Sequence, residues 1–487
     1  MRVLVTGATG FVGKALLLRL QREGHQITAW VRDPVRARQL LGAEVALASG
    51  DDEALRDALD GADAVVNLAG EPVAGRRWTR RRRERIRRSR VELTGRLVAA
   101  MGELARPPAV LVSASAVGYY GDRGDEALTE ESAAGEGFLA RVCAEWELAA
   151  TRATALGVRV VTPRIGIVLG PGGALEQMVP LFRAGLGGRL GSGRQQVPWI
   201  HLEDLVELLA LAISDERYRG PLNAVGPAPA TNRELTRALG AALKRPTVLP
   251  APALALRLLF GEAAQVLLGS QRALPARLSE LGFVHRYPTL DAALDELLAG
   301  DGALSIEPLA GAPIPDDPYT ARRRPRYLLR QRMRIAAPIG QVFDFFSRAE
   351  NLGLLTPADL GLEIHRPPES MRRGAVIDYR LRLGPLPPLR WRTVIERWEH
   401  ERLFVDAQHR GPYRSWWHEH HFRADGDGTI MEDRVYYAPP LGLLGRIAHR
   451  LFIAAKLRHI FGYRARAIRL RFGAEELGQG ADLESAA

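Results

Sequence analysis

Three glycines near the N-terminus have the spacing of a loop that holds the phosphates of a dinucleotide. They follow the apolar run Val3-Leu4-Val5 and open a helical pattern that continues to Arg22. Gly7 permits a tight turn, Gly10 lets the backbone approach a pyrophosphate, and Gly13 allows close helix–strand packing. The helix N-terminus then offers unpaired N–H groups to the phosphates. The cofactor residues expected in this loop are Gly7, Thr9, Gly10, Phe11, Val12 and Gly13.

The end of the second strand indicates which dinucleotide binds. The chain there reads Val31-Arg32-Asp33. An acid at the strand end would hydrogen-bond the ribose of NAD, whereas Arg32 suits the 2′-phosphate of NADP. Asp33 keeps NAD open as the alternative, and we expect NADP. Residues that end later strands complete the expected cofactor site: Leu68, Ala69, Gly70 and Ser113.

Short apolar runs alternate with helical patterns up to about residue 298. Gly13–Arg22 and Thr94–Leu104 are predicted helices. Such alternation is typical of a parallel sheet with helices on both faces, so we expect a Rossmann-type, doubly wound α/β fold. The predicted strands are centred on residues 3–5, 27–31, 64–68, 109–113 and 158–161.

The pattern changes class after residue 299. Residues 300–325 are rich in proline and lack periodicity, which predicts a linker. Residues 326–475 then read as strand, short helix, several strands and a long closing helix over 441–472, so we expect an α+β domain followed by a tail at 476–487. The predicted domains are therefore 1–299 and 326–475.

The 487-residue chain has a net charge of +11, which raises the question of a polyanionic partner. The charge is +1 over residues 1–319 and +13 over 320–475. Since 64 of the 67 basic residues are arginine, the surplus indicates a compositional bias. Ten arginines lie within residues 76–90, and we expect a solvated helix there in preference to a nucleic-acid site.

We expect no membrane span and a cytoplasmic protein, because no apolar stretch is long enough and no targeting segment is visible.

Five segments in order resemble one protein family. They are the glycine loop, Asn67–Gly70, Ser113–Gly121, Pro163–Gly166 and Pro198–His201. Together they resemble the epimerase-family proteins of the atypical short-chain dehydrogenase/reductase group, including a C-terminal part of the DUF1731 type. The resemblance spans residues 1 to about 298 and implies a Rossmann-type fold that binds an NADP-type cofactor, with an unknown substrate.

The catalytic residues of that group are altered in this chain. Short-chain dehydrogenases use a serine with a Tyr-x-x-x-Lys pair, whose lysine lowers the tyrosine pKa so that the phenol exchanges a proton. The resemblance places Ser115 at the serine, but Leu139 at the tyrosine and Cys143 at the lysine. Tyr119 or Tyr120 could supply a phenol instead. The candidate catalytic residues are therefore Ser115, Tyr119 and Tyr120, and the candidate substrate residues are Arg164, Gln195, Trp199 and His201.

The start of the second domain, Arg334–Phe346, resembles the START and Bet v 1-like (SRPBCC) proteins that bind hydrophobic ligands. The resemblance implies a helix-grip fold, in which a curved antiparallel sheet around one long helix encloses an apolar cavity. The aromatic residues that could line the cavity or pack the core are Trp391, Trp398, Trp416, Trp417, Phe422, Tyr436 and Tyr437.

The segment Trp416–Phe422 contains three histidines, of which His418 and His420 share one face of a strand. Two strand histidines bind zinc only if a third ligand arrives from elsewhere. The sequence does not name that ligand, so we assign no metal site. The single cysteine, Cys143, excludes a disulfide framework within the chain.

These observations lead to two hypotheses for function. The first is an NADP(H)-dependent oxidoreductase or sugar-nucleotide-type epimerase of unknown substrate, joined to a domain that binds an apolar small molecule. The second is a non-catalytic regulatory protein that senses NADP, as relatives resembling cell-division inhibitors suggest. The expected partners are a small-molecule substrate and an apolar ligand, and the oligomeric state is left open.

Overall fold

The computed structural model divides the chain into two compact units. The first comprises Met1–Ala37 with Val45–Ala299, and the second Arg38–Glu44 with Gly300–Ala487. The residues that the structure describes are 1–298, 304–311, 313–366, 368, 370–382 and 388–477.

The first unit contains short strands, of which Ala64–Asn67 and Val110–Ser113 are buried throughout. In chain order they are β1 (Arg2–Thr6), β2 (Gln26–Trp30), β3 (Ala46–Ala48), β4 (Ala64–Asn67), β5 (Val110–Ser113), β6 (Ser115–Ala116), β7 (Ala127–Leu128), β8 (Arg159–Ile165), β9 (Ile167–Leu169), β10 (Gln196–Val197), β11 (Trp199–His201), β12 (Gly220–Ala224), β13 (Ala230–Thr231) and β14 (Arg272–Ala273).

The main sheet of this unit is parallel, as predicted. Within the described residues it has eight strands in the order β12-β8-β5-β4-β1-β2-β3, with β6 paired to β8. The strand order reverses between β1 and β4, and ligands of open α/β sheets bind in the crevice at such a reversal. The register places Thr6 opposite Asn67 and Asn67 opposite Ser113, so these three polar residues align at the carboxyl ends of adjacent strands.

Helices connect and cover these strands. Up to residue 298 they are α1 (Phe11–Arg22), α2 (Pro34–Leu41), α3 (Asp52–Leu59), α4 (Arg80–Gly102), α5 (Phe138–Thr151), α6 (Ala174–Arg183), α7 (Leu202–Ser214), α8 (Asn232–Leu243), α9 (Ala253–Phe260), α10 (Gln265–Leu268), α11 (Ala276–Glu280) and α12 (Leu290–Leu298). Short 3₁₀ helices span Val117–Tyr120, Arg152–Leu156 and Gly261–Ala264.

Most of the arginine run forms the first half of helix α4, which begins at Arg80, 14 residues before the predicted Thr94. The side chain of Thr79 caps the helix by accepting from the N–H of Arg82, and Ile86 is the buried apolar anchor of its basic part. Arginines of the run pair with acidic side chains: Arg82 and Arg85 with Glu71, Arg83 with Glu262, Arg87 with Glu145 and Arg88 with Glu92. These contacts give the run a structural role, and the expectation that it does not bind nucleic acid stays a prediction.

The second unit contains an antiparallel sheet. Its strands are β15 (Leu304–Pro308), β16 (Tyr327–Ile335), β17 (Glu363–Arg366), β18 (Val376–Leu381), β19 (Leu389–Glu399), β20 (Leu403–Arg410), β21 (Ser415–Asp425), β22 (Gly428–Ala438) and β23 (Ala474–Glu476). Among the described residues the order is β15-β16-β22-β21-β20-β19-β18-β17, with β23 paired to β16.

One long helical segment closes this sheet. It consists of α15 (Gly442–Ala448), a π-helical turn (His449–Ile453) and α16 (Ala454–Phe472), and it covers the predicted closing helix. Leu457 and Phe461 of α16 pack against Trp391, Trp416 and Tyr437 of the sheet. The other helices of this unit are α13 (Pro318–Arg322), α14 (Ile339–Phe346) and the 3₁₀ turns Ala349–Gly353 and Ala358–Leu360.

Part of the segment expected to be a linker belongs to the second sheet. Strand β15 pairs antiparallel with β16 from Leu304 to Pro308. The alternation of apolar and polar residues in β15 is too short to predict a strand, because a proline-rich segment follows it directly. Among the described residues, no helix has both the length and the apolar character needed to cross a membrane.

Candidate functional site

The glycine loop lies between β1 and α1 at the carboxyl edge of the parallel sheet. Gly7 has a φ of +70°, and a Cβ there would lie 2.6 Å from the carbonyl carbon of Leu68. A Cβ on Gly13 would lie 2.3 Å from the carbonyl oxygen of Gly7. Since these obstacles are backbone atoms, both positions require glycine.

Gly10 differs from the other two glycines because the protein itself leaves room beside it. A Cβ there would meet only the carbonyl oxygen of Gly7, at 3.0 Å, and Thr9 and Gly10 are exposed. Gly10 donates its N–H to that oxygen at 2.9 Å and has no side chain to cap α1. The open surface therefore exposes the start of a 12-residue helix whose N–H groups suit a phosphate. Phe11 and Val12, which begin α1, are half-buried.

A buried polar network holds the floor of this loop. Thr6 Oγ1 donates to Asn67 Oδ1 at 2.7 Å, and Asn67 Nδ2 donates to Ser113 Oγ at 3.1 Å and to Thr94 Oγ1 at 2.8 Å. Thr6 Oγ1 also accepts from the N–H of Ala69 at 3.3 Å. Ser113 thus positions the strand ends, and the network ties the segment 68–70 to β1 and β5.

Arg32 and Asp33, which follow β2 after Val31, have separate roles. Asp33 Oδ1 accepts the N–H of Arg36 at 3.0 Å and so satisfies the first turn of α2. Arg32 is exposed at the end of the strand. Because the carboxylate serves the helix and the guanidinium faces solvent, this edge presents a cation where the ribose of a bound dinucleotide would lie. The loop and this edge together fit an NADP-type cofactor.

The helix that carries the usual Tyr-x-x-x-Lys pair presents other side chains here. A Cβ on Gly118 would lie 3.5 Å from Leu139 Cβ and 3.8 Å from Cys143 Sγ, so both residues of α5 face the turn after Ser115. Neither side chain can exchange a proton as a tyrosine–lysine pair does. Burial raises the pKa of the Cys143 thiol to about 12, despite the nearby charge of Arg90.

The native Cys143 thiol is expected to resist thiol reagents. At pH 8 a thiol of pKa about 12 is in the thiolate form on the order of a thousandfold less than an ordinary cysteine, and only the thiolate attacks. Reaction with a disulfide reagent should therefore be slower by that factor in the native protein. Denatured protein, as the control, should react rapidly with one equivalent, because the chain has one cysteine. Comparable rates in both states would contradict the buried placement.

Ser115 belongs to a charged cluster with two residues from distant parts of the chain. Ser115 Oγ donates to Glu147 Oε1 at 2.6 Å, and Arg164 forms a bidentate pair with both oxygens of Glu147 at 2.9 Å. Burial lowers the pKa of Arg164, but the hydrogen bonds and charge of Glu147 outweigh it and raise this pKa above its ordinary value. The guanidinium stays charged, and Glu147 is the residue that sequence reasoning did not select.

The two candidate tyrosines differ in exposure. Tyr120 is fully buried; its hydroxyl donates to Asn223 Oδ1 at 2.7 Å and accepts from Arg164 Nη1 at 2.9 Å. Burial raises the pKa of Tyr120 above its usual value, outweighing the charge of Arg164. Tyr119 is half-buried, and its ring lies 3.6 Å from the guanidinium carbon of Arg164. Tyr119 is thus the phenol that a small molecule can reach.

Three other candidate substrate residues lie in the interior. Gln195 Nε2 donates to the carbonyls of Leu190 and Leu267, both at 3.1 Å. Trp199 is buried in an apolar cluster. His201 caps α7 and is 1% exposed. These contacts engage the three side chains in packing and capping, and their role toward a substrate stays a prediction. Arg164 alone among the four candidates joins the Ser115 cluster.

The second unit contains an apolar cavity of about 580 Å³ between the sheet and the closing helix, and this cavity is partly open to solvent. Trp391 and Trp416 line it, together with Phe461 from α16. Trp398 and Phe422 instead pack against Phe343. Three further predicted aromatic residues pack in apolar clusters of this unit: Trp417, Tyr436 and Tyr437. The cavity is large enough for a small organic molecule.

Known protein families and solved structures are similar to the first unit. The model of the NAD dependent epimerase/dehydratase family matches residues 3–223, and that of DUF1731, a domain of unknown function, matches residues 251–297. Among solved structures, human epimerase family protein SDR39U1 (isoform 2) with NADPH superposes with a TM-score of 0.56 at 36% identity, covering 61% of this chain and 99% of that one. A nucleoside-diphosphate sugar epimerase from Corynebacterium glutamicum superposes with a TM-score of 0.50 at 37% identity, covering 61% and 58%.

Curated relatives agree with the structures. The chloroplastic SDR39U1 homolog of Arabidopsis thaliana, an epimerase family protein, is 41% identical over 303 residues, which are 61% of this chain and 87% of the relative. The epimerase family protein SDR39U1 of Homo sapiens is 38% identical over 304 residues, which are 61% of this chain and 100% of the relative. Since relatives this similar are matched over most of their own length, the chain belongs to the epimerase family.

Proposed function

We propose that residues 1–299 form an NADP(H)-dependent oxidoreductase or epimerase-type domain and that residues 326–475 bind an apolar small molecule. The observation that carries the first part is the combination of the open surface at Gly10 with the exposed cation at Arg32. The solved structure of human SDR39U1 with NADPH supports it. The apolar cavity supports the second part.

The chain's own residues would hold the cofactor in two places. The N–H groups at the start of α1 would receive the pyrophosphate, with Gly10 allowing close approach. Arg32 would pair with the 2′-phosphate through a charge-assisted hydrogen bond. NADP(H), when bound, supplies hydride transfer.

We assign the substrate contacts to Ser115 and Tyr119. Glu147 accepts the Ser115 hydroxyl proton in a hydrogen bond and is itself held by Arg164, so Glu147 and Arg164 are positioning residues. Ser115 is 2% exposed and its proton is engaged by Glu147, so Ser115 Oγ can accept a hydrogen bond from a substrate hydroxyl that reaches it, while the phenol of Tyr119 is the group that exchanges a proton. Ser115→Ala and Tyr119→Phe should each reduce NADPH turnover with a substrate while leaving the Kd for NADPH within about twofold.

A second function, a non-catalytic NADP-responsive regulator, is favoured by Leu139 and Cys143 at the positions of the usual catalytic pair. Both functions predict NADPH binding. They separate when the full chain is incubated with a panel of sugar nucleotides and apolar aldehydes or ketones, and both net NADPH oxidation and epimerised product are measured, because an epimerase regenerates its cofactor in each cycle. Turnover that Tyr119→Phe abolishes supports the enzyme, whereas tight NADPH binding with no turnover on any compound supports the regulator.

Replacing Arg32 by alanine tests the cofactor preference. The variant should bind NADPH roughly ten- to hundredfold more weakly, because a hydrogen bond to a charged group contributes about 1.5–3 kcal/mol. Its Kd for NADH should not change, since NADH has no 2′-phosphate. Fluorescence titration of the full chain measures both constants. Arg22→Ala, at the opposite end of α1, is the matched control and should alter neither. No NADPH binding by the unmodified chain would overturn the proposed function.

A further inference from the structure

Three side chains that can bind a metal converge on the cavity wall of the second unit. The register places Asp406 of β20 directly opposite His418 of β21, and His420 lies two residues further along the same face. His418 and His420 are buried and Asp406 is half-buried. All three line the apolar cavity.

The distances bring one atom of each side chain to a common point. Asp406 Oδ2 lies 2.9 Å from His420 Nε2 and 3.4 Å from His418 Nδ1. The three candidate ligand atoms all lie within 4.8 Å of one another. Such a group can surround one ion, because metal–nitrogen and metal–oxygen bonds to zinc are about 2.0–2.2 Å long.

Asp433 holds the remaining nitrogens of both imidazoles. Its Oδ1 lies 3.1 Å from His418 Nε2 and 2.8 Å from His420 Nδ1. If both nitrogens donate to this carboxylate, the lone pairs of the opposite nitrogens face Asp406. A carboxylate behind the histidines is the usual partner that orients metal ligands.

The charges around this cluster leave room for a cation. Arg464 of α16 contacts Asp433 Oδ1 through Nη2 at 3.2 Å and neutralises that carboxylate. Asp406 contacts both imidazoles, and the charge of Arg464 also acts on it, so the two carboxylates share one guanidinium and one negative charge remains. In the metal-free protein, His420 can adopt its other tautomer, with Nε2 donating to Asp406 and Nδ1 accepting from Arg464 at 3.1 Å. A bound cation would replace the proton between His420 and Asp406.

We propose that Asp406, His418 and His420 form a mononuclear site for a divalent transition metal, with open coordination positions toward the apolar cavity. Two imidazoles and one carboxylate suit Zn²⁺ or Fe²⁺ and disfavour Mg²⁺ and Ca²⁺, which prefer oxygen ligands. The metal would bind an oxygen or nitrogen donor of a molecule whose apolar part occupies the cavity. The site is separate from the cofactor loop, so a failure of NADP(H) binding would not contradict the metal site, and a failure of metal binding would not contradict the cofactor site.

Metal titration of the full chain, purified without a histidine tag and stripped with a chelator, tests this site. Calorimetry should show one equivalent of Zn²⁺ bound with a Kd below about 1 µM, unaffected by millimolar Mg²⁺. Titration with Co²⁺ should produce d–d absorption bands of a four- or five-coordinate site. Azide should shift those bands if a coordination position is open, and unchanged bands would contradict the open position.

Variants connect the binding to these residues. Asp406→Asn keeps the shape of the side chain, so it should preserve the fold and weaken Zn²⁺ binding at least tenfold, and His418→Ala should weaken it at least a hundredfold. His421→Ala is the matched control, because His421 alternates to the other face of β21 and contacts Glu419. Failure of the unmodified chain to bind Zn²⁺, or equal losses in Asp406→Asn and His421→Ala, would overturn the proposal and leave a hydrogen-bonded cluster without a metal.

Discussion

Replacing Glu147 by alanine is expected to lower the free energy of unfolding of the first unit by about 3–5 kcal/mol. The substitution removes both acceptors of the bidentate pair and leaves the charge of Arg164 buried, with its side chain only 4% exposed. Ser115 loses its acceptor at the same time. Urea unfolding measures the change in the free energy of unfolding. If NADPH binds the first unit, it shifts the unfolding transition of that unit to higher urea concentration, and this shift identifies the transition.

Two comparisons make this result specific to the buried pair. Glu92→Ala breaks an exposed pair with Arg88 on α4 and should cost about 0.5 kcal/mol or less. The double variant Glu147→Leu with Arg164→Met removes both charges together, so it should be more stable than Glu147→Ala alone. A loss below about 1 kcal/mol in Glu147→Ala would contradict the structural role of the pair.

Replacing Gly10 by aspartate is expected to weaken NADPH binding at least about a hundredfold, which corresponds to about 2.7 kcal/mol. The new carboxylate would occupy the open surface at the start of α1 and repel the pyrophosphate. A Cβ at Gly10 meets one backbone oxygen, at 3.0 Å, which is a tight contact that a small shift of the loop relieves, so we expect at most a small loss of stability. Fluorescence titration measures the loss, and an unchanged melting temperature without cofactor shows that the loop is intact.

The control for Gly10→Asp adds the same charge elsewhere in the unit. Gly95→Asp lies within α4, where a Cβ meets nothing within 4 Å, and it should leave the Kd for NADPH unchanged. Gly10→Ala should fall between the two, because it adds bulk without charge. Equal affinity of Gly10→Asp and the unmodified chain would exclude this loop as the phosphate site.

The sequence alone was sufficient for the parallel sheet, since its strands are nearly continuous apolar runs and the glycine loop occurs at the first strand–helix junction. The spacing of Gly7, Gly10 and Gly13 and the cation at Arg32 are local properties, readable without any long-range contact. The absence of the Tyr-x-x-x-Lys pair was equally visible, because it depends on two residue types four positions apart.

The roles of residues whose contacts come from distant parts of the chain could not be predicted from local sequence. Gln195, Trp199 and His201 looked like substrate residues, yet their contacts come from segments that pack around them. Glu147 was not among the candidate residues, because its role depends on the fold, which brings it to Ser115, 32 positions away, and to Arg164.

The second unit makes the same distinction more sharply. Sequence determined that His418 and His420 share a strand face, because strand side chains alternate with a period of two. The sequence did not identify a third ligand, because the residue opposite a given strand position depends on which strand pairs with it and in which register. Only the tertiary structure placed Asp406 opposite His418 and Asp433 opposite His420. The sequence by itself thus determined the local motifs and the fold class of the first unit. The pairing of distant strands and helices decided which side chains meet. Only the tertiary structure shows that pairing, because it is set by burial of the whole core and not by residues that are neighbours in sequence.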